Sequence, residues 1–164
     1  MELHKWIWLL GLYGALSGGS NAFSAPFLAV EFKNREIDVE YAGVVFSMYP
    51  VGRTMASLMT VHVIRHYGKI MLIRKAFFLV ALLYIGVGLT VFVRDNVLFS
   101  ILSGALRLAI GFTFQMAAIS LSGYALALFP AEMARFVFTL SIGYGFGASI
   151  CPAMGALIYH FLGC

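Results

Sequence analysis

The sequence predicts an all-α membrane protein, a bundle of about five transmembrane helices, and two observations carry that prediction. Hydrophobic residues fill 62% of the 164 positions and charged residues only 11%, with a mean hydropathy of +0.93. An average soluble domain has roughly 45–50% and about 25%. A chain this short cannot bury so much apolar surface, so lipid must solvate much of it. The apolar residues also gather in five long runs, each near the roughly 20 residues that a helix needs to cross a hydrocarbon core. None alternates with the period of two that a barrel strand requires.

The first run covers residues 6–30. Met1 to Lys5 followed by WIWLLGLYGALSGG has the charged start and apolar core of a signal peptide. The run is longer than such a core and further runs follow, so an uncleaved first helix is expected. Trp6 and Trp8 suit an interfacial aromatic anchor. EFKNREIDVEY (31–41) is the one charged connector of any size, and the second run follows at 42–64. The basic stretch RHYGKIMLIRK (65–75) leads into the third run at 72–93, and RDN (94–96) turns into the fourth at 97–126. FPAEMAR (129–135), with the helix-stopping Pro130, precedes the fifth at 136–162. No low-complexity segment or linker divides the chain, so residues 1–164 read as a single bundle.

Lysine and arginine are distributed unevenly between the connectors. Lys5, Arg65, Lys69, Arg74, Lys75 and Arg135 fall on one side of the expected bundle; Lys33, Arg35 and Arg94 fall on the other. The positive-inside rule then predicts a cytoplasmic N-terminus and an extracytoplasmic C-terminus. The formal charge of +4 is no nucleic-acid signal, because the charges are few and sit in short clusters between apolar runs. Cys151 and Cys164 make neither a disulfide framework nor a metal spacing, and the C-terminus has no prenylation box. His4, His62, His66 and His160 are scattered, and no phosphate loop, nucleophile elbow or zinc motif is present. The sequence therefore points to no enzyme, cofactor, metal or nucleic-acid partner.

Two charges lie inside expected spans. Arg53 falls about 11 residues into the second run, roughly 16 Å at 1.5 Å per residue, and Arg107 sits at a similar depth in the fourth. Placing an arginine there costs at least about 2.5–3.5 kcal/mol, so each should face the bundle interior or a watery cavity. One reading gives them to a solute; the other makes them structural contacts between helices. Ser103, Arg107, Gly111 and Gln115 recur every four residues on the fourth helix, as do Tyr49, Arg53, Ser57 and Thr60 nearly so on the second. With Ser17, Asn21 and Ser24 on the first, these stripes suggest a shared wet cavity, against a background of ordinary interhelical hydrogen bonds. All seven acids (Glu2, Glu31, Glu36, Asp38, Glu40, Asp95 and Glu132) fall outside the spans or at their ends. The countercharge for the arginines is then an anionic solute, a group from elsewhere, or carbonyls and water.

The fifth run carries a ladder of small residues, Gly143, Gly147, Cys151 and Gly155, at every fourth position. Such a ladder clears a groove in which another helix can approach closely, although it is also generic membrane packing. Pro152 removes a backbone hydrogen bond and can bend the helix there. The basic stretch Arg65, His66, Lys69, Arg74 and Lys75 either touches lipid headgroups or simply fixes topology.

Taken together, these residues resemble the N-terminal half of a major facilitator superfamily transporter. Tyr67, Gly68 and Lys69, then Arg74, are similar to the family's basic loop D-R-x-G-R-[KR], with Arg65 where the family has its aspartate and Val61 in place of its leading glycine. LRLAIGF resembles the R-x-x-q-G pattern of helix four, placing Arg107 and Gly111 at its fixed positions and Ile110 at the glutamine. FPAEMAR resembles the F-P-x-x-x-R loop, and GASICPAMGAL resembles the antiporter pattern G-x-x-x-G-P-x-x-G-G, through Gly147, Pro152 and Gly155, with Cys151 and Ala156 as small replacements. SAPFLAVEF followed by YAGVVFSMYPVG is further similar to the vesicular amine and polyamine transporter branch, through Pro26, Phe27, Glu31, Gly43, Phe46 and Tyr49. Asn21 stands where amine carriers of that branch often have an aspartate.

The resemblance implies two pseudo-symmetric six-helix halves with a solute held near the midplane between them. It implies a solute or proton role for Arg107, with Arg53, Asn21, Gln115 and Tyr49 as further cavity candidates. Gly143, Gly147, Cys151, Pro152 and Gly155 would then form the packing and gating helix, and Gly68, Lys69 and Arg74 the cytoplasmic loop. Five helices are one short of a half, so an incomplete half-transporter, or a truncated paralogue not competent alone, is expected. Its partners would be the bilayer, a small solute that is anionic or an amine, and a second half or a second copy. A non-transporting adaptor that binds a partner span through helix five is the alternative.

Overall fold

In the computed structural model the chain forms five α-helices: α1 (Glu2–Asn34), α2 (Val39–Tyr67), α3 (Lys69–Leu89), α4 (Asn96–Leu128) and α5 (Met133–Leu162). Short 3-10 turns at Thr90–Phe92 and Pro130–Glu132 complete it. The structure describes residues 2–162, and the side chains at positions 2, 3, 23, 156 and 158–162 are not described. Cys164, and the side chains of Glu2, Ala156 and His160, lie outside the described residues. No strand occurs among the described residues. Each apolar run became one helix, extended by up to a turn into its polar flanks, except that α3 stops at Leu89, where the expected run to residue 93 tightens into the 3-10 turn.

The helix ends have local causes. α1 stops where Glu36 takes a positive φ of 55° and its N–H, with that of Ile37, folds back onto the Lys33 and Phe32 carbonyls. Only Gly68 separates α2 from α3; its φ of 74° is the left-handed conformation that glycine adopts without a Cβ clash. Asp95 begins α4, its Oδ1 accepting the Leu98 N–H at 2.8 Å. Pro130 lacks an N–H to continue α4 and starts the turn into α5.

Among the described residues, three helical segments, Lys69–Phe92, Asn96–Leu128 and Pro130–Gly155, are long and apolar enough to cross a membrane. α1 and α2 have the length but not the apolar content. Ser17 to Asn21 dilutes α1, and Arg53, Thr54, Ser57, Thr60 and His62 dilute α2. Large apolar side chains point outward on every helix: Trp8 is 73% exposed, Leu58 81%, Phe78 69%, Ile101 64% and Phe138 67%. In water so much exposed apolar surface would drive aggregation.

Contacts divide the chain into two compact units, Met1–Glu31 with Ala125–Cys164, and Phe32–Tyr124. The first unit is built on α1 against α5. Gly143 lies on the Gly11 carbonyl, Gly147 on that of Ala15, and Gly18 on that of Tyr144, each so close that a Cβ would overlap it. Contacts advance together along both helices, so α1 and α5 run parallel. Small residues permit this approach, and dispersion between the backbones rewards it.

The second unit packs α2, α3 and α4. Gly52 lies on the Leu108 carbonyl and Gly111 on that of Tyr49, backbone to backbone, and because Phe46 meets Arg107 while Arg53 meets Gln115, α2 and α4 also run parallel. Ala56, Leu72 and Met116 form a small core from all three helices. One end of the unit is closed by Arg35, which donates from Nη1 to the Val93 carbonyl at 2.6 Å and from Nη2 to the Val91 carbonyl at 2.8 Å. The guanidinium also covers the Phe99 ring at 4.2 Å, and Asn96 Nδ2 donates to the Arg35 carbonyl at 3.2 Å. At the other end, Lys69 Nζ donates to the Gly123 carbonyl of α4 at 2.8 Å.

Candidate functional site

Four of the five expected cavity residues meet where α2 crosses α4. The buried face of α2 is Val45, Tyr49, Gly52, Ala56 and Thr60, and its glycine lets α4 lie directly against it. Half-buried Arg53, one step from that face, donates to Gln115 Oε1 from Nε at 3.0 Å and from Nη2 at 2.9 Å. Two donors on one amide oxygen supply polar contact that the surrounding apolar side chains cannot.

Arg107 lies two turns nearer the α4 N-terminus and is only 4% exposed. Its guanidinium carbon stands 4.4 Å from the centre of the Phe46 ring. A desolvated cation on an aromatic face gains about 2 kcal/mol. Tyr49 and Tyr84 are close enough to interact with it electrostatically, and Tyr84 meets Phe114 edge to face at 6.3 Å. Arg107 therefore occupies a mainly aromatic setting on α2, α3 and α4. One turn earlier, Ser103 is fully buried and its Oγ has no hydrogen-bond partner among the described residues. A buried hydroxyl left in that state is costly.

The expected stripes of hydroxyls need correction. Ser57 is exposed and donates to the Arg53 carbonyl at 3.0 Å, and Thr60 donates to the Ala56 carbonyl at 2.5 Å. Ser17 and Ser24 likewise donate to the Gly14 and Asn21 carbonyls, at 3.3 and 3.0 Å. These hydroxyls donate within their own helices, as serine and threonine in helices often do. Asn21 belongs to the first unit, half-buried on α1.

On α5, the expected groove is occupied by α1. Gly143 and Gly147 face its backbone, and Cys151 Sγ lies where a Cβ on Gly19 would stand. Pro152 lies within α5, and both it and Gly155 are half-buried. Of the loop residues, Gly68 makes the turn and Lys69 ties α3 to α4, while Arg74 is exposed. No group of three or more potential metal ligands occurs among the described residues.

Sequence reasoning missed Gly11, Gly14 and Gly18, although their spacing on α1 is itself a small-residue ladder. It also missed Gly52 and the Arg35 clamp. Arg35 reaches carbonyls more than fifty positions away, which no local pattern announces. No protein family, no curated protein and no solved structure matches this chain.

Proposed function

We propose that this chain is a transporter component of the major facilitator type that carries a small solute across a membrane, with Arg107 as the solute-facing cation. The carrying observation is that two separate resemblances meet in space. Phe46 and Tyr49, from the G-x-x-F-x-x-Y stretch of α2, lie against Arg107 and Gly111, from the R-x-x-x-G stretch of α4. Nothing in either stretch alone requires the other.

The helix pairing supports the same reading. In this fold each half contains two three-helix repeats of inverted topology. Helix one then corresponds to helix four and helix two to helix five, so the parallel pair α1·α5 is the counterpart of the parallel pair α4·α2. Both pairs use glycines at their crossing. In the full reading all five helices span the bilayer, with α1 and α2 turning their polar residues inward and the N-terminus cytoplasmic. Such a pathway needs further helices, from the same polypeptide or another. The adaptor reading draws less support, because α1 already lies along the α5 ladder.

Accessibility of Ser103 tests the reading. In a background with Cys151 and Cys164 replaced by alanine, Ser103→Cys, enclosed in this structure and reached only when the pathway opens, should react with a membrane-impermeant thiosulfonate in proteoliposomes, while Leu98→Cys, 54% exposed and lipid-facing, should not. Failure of Ser103→Cys to react from either side of the membrane removes the solute pathway.

A further inference from the structure

The α1·α5 pair carries a feature that lies apart from the Arg107 site. Beside the glycine crossing runs an open apolar groove of about 440 Å³, floored by Gly11, Ala15 and Gly143 and walled by Trp8, Leu12, Ile142 and Phe146. A second cavity continues it towards the α1 N-terminus, sharing Trp8 and Leu12 and ending at His4 and Lys5. Among the described residues, no acidic one lines either cavity. On α5, Glu132 already holds Arg135 at 3.0 Å. Lys5 is thus the cation left at this end with no acidic partner among the described residues.

We propose that this groove seats one anionic phospholipid, with an acyl chain along Gly11 to Ala15 and its phosphate at Lys5 and His4. The length fits. Ten residues from Lys5 to Ala15 span about 15 Å at 1.5 Å per residue. That is half of a hydrocarbon core of roughly 30 Å, the depth of one leaflet. The polarity fits as well: the Lys5 ammonium and the His4 imidazole at the headgroup level, Trp8 at the interface and an apolar floor below. A helix from a second copy would meet the charged end of the groove with no complementary group specified. The inference rests on the placement of α1 and α5 in a bilayer.

Tryptophan fluorescence tests it. The chain has two tryptophans, so Trp6→Phe leaves Trp8 as the reporter. In phosphatidylcholine vesicles, phosphatidylglycerol with brominated chains should quench Trp8 as if its affinity were about fivefold that of brominated phosphatidylcholine. Lys5→Gln should bring the ratio to one. Ile142→Phe, which narrows the groove without changing charge, should do the same if the lipid is seated and not merely attracted to a positive surface. Equal quenching by both lipids in the parent, or a preference unchanged by Ile142→Phe, overturns the proposal. Quenching by neither lipid, in protein that still floats with the vesicles, also overturns it and points to a second copy covering Trp8. Protein that fails to float with vesicles sinks the bilayer placement itself.

Discussion

Arg53 and Gln115 are joined through a single oxygen: Nε and Nη2 of the arginine both donate to Oε1 of the glutamine, at 3.0 and 2.9 Å. The bond crosses from α2 to α4 beside the glycine contacts of Gly52 and Gly111, so it orients two helices that sterics alone only hold together. Neutral interhelical bonds in membranes average about 0.6 kcal/mol, whereas bonds to charged groups reach roughly 1.5–3 kcal/mol. The charge on Arg53 places this pair in the second class.

Replacing Gln115 by leucine should therefore cost about 1.5–3 kcal/mol, measured by unfolding in mixed detergent and sodium dodecyl sulfate. The cost arises because Arg53 keeps its charge and loses its acceptor. Arg53→Met combined with Gln115→Leu should be less damaging than the sum of the two single changes. Simple additivity would show that the pair is not coupled.

Glycines of different surroundings should respond oppositely to alanine. Gly111→Ala drives a Cβ into the Tyr49 carbonyl and should cost at least about 1–3 kcal/mol, separating α2 from α4. Gly145→Ala on α5 meets nothing within 4 Å and should stabilise its helix by roughly 0.5–1 kcal/mol. The same denaturation assay reads both, and equal responses would contradict the crossing.

Arg35→Gln should loosen one end of the second unit. It leaves the Val91 and Val93 carbonyls without their charged donor and should cost about 1.5–3 kcal/mol. Amide hydrogen exchange of peptides covering 90–99 should accelerate. Arg35→Lys should recover only part of the protection, because an ammonium cannot match the planar fork to two carbonyls.

Gly68→Ala isolates a backbone effect. A Cβ at this position meets nothing within 4 Å, yet φ is 74°, so the expected cost is about 1–2 kcal/mol of conformational strain. Gly68→Asn should lose less, because asparagine tolerates this region better. If alanine and asparagine behave alike, the turn has relaxed into another conformation.

The sequence was most informative about the helices themselves. Five apolar runs bounded by charge or proline define five helices because length and polarity act locally. Arg53, Gln115, Arg107 and Tyr49 could be nominated from intramembrane polarity and spacing, and the structure brings them to one crossing. Hydroxyls misled for a physical reason: Ser57 and Thr60 satisfy themselves on their own backbone, so their spacing carries no message about a neighbour. Pairing of helices was least legible. An apolar stripe facing lipid and one facing protein have similar composition, and only the glycine ladders on α1 and α5 distinguish them.

The α1·α5 crossing also has a consequence for biosynthesis. Gly143 emerges about 130 residues after Gly11, a delay on the order of ten seconds at roughly 5–20 residues per second. Throughout that interval the glycine face of α1 has no native mate, whereas Gly52 of α2 meets its partner as soon as α4 is made. The newborn polypeptide must therefore hold its first helix in waiting, shielded by the insertion machinery or by lipid, until the last one arrives to claim it.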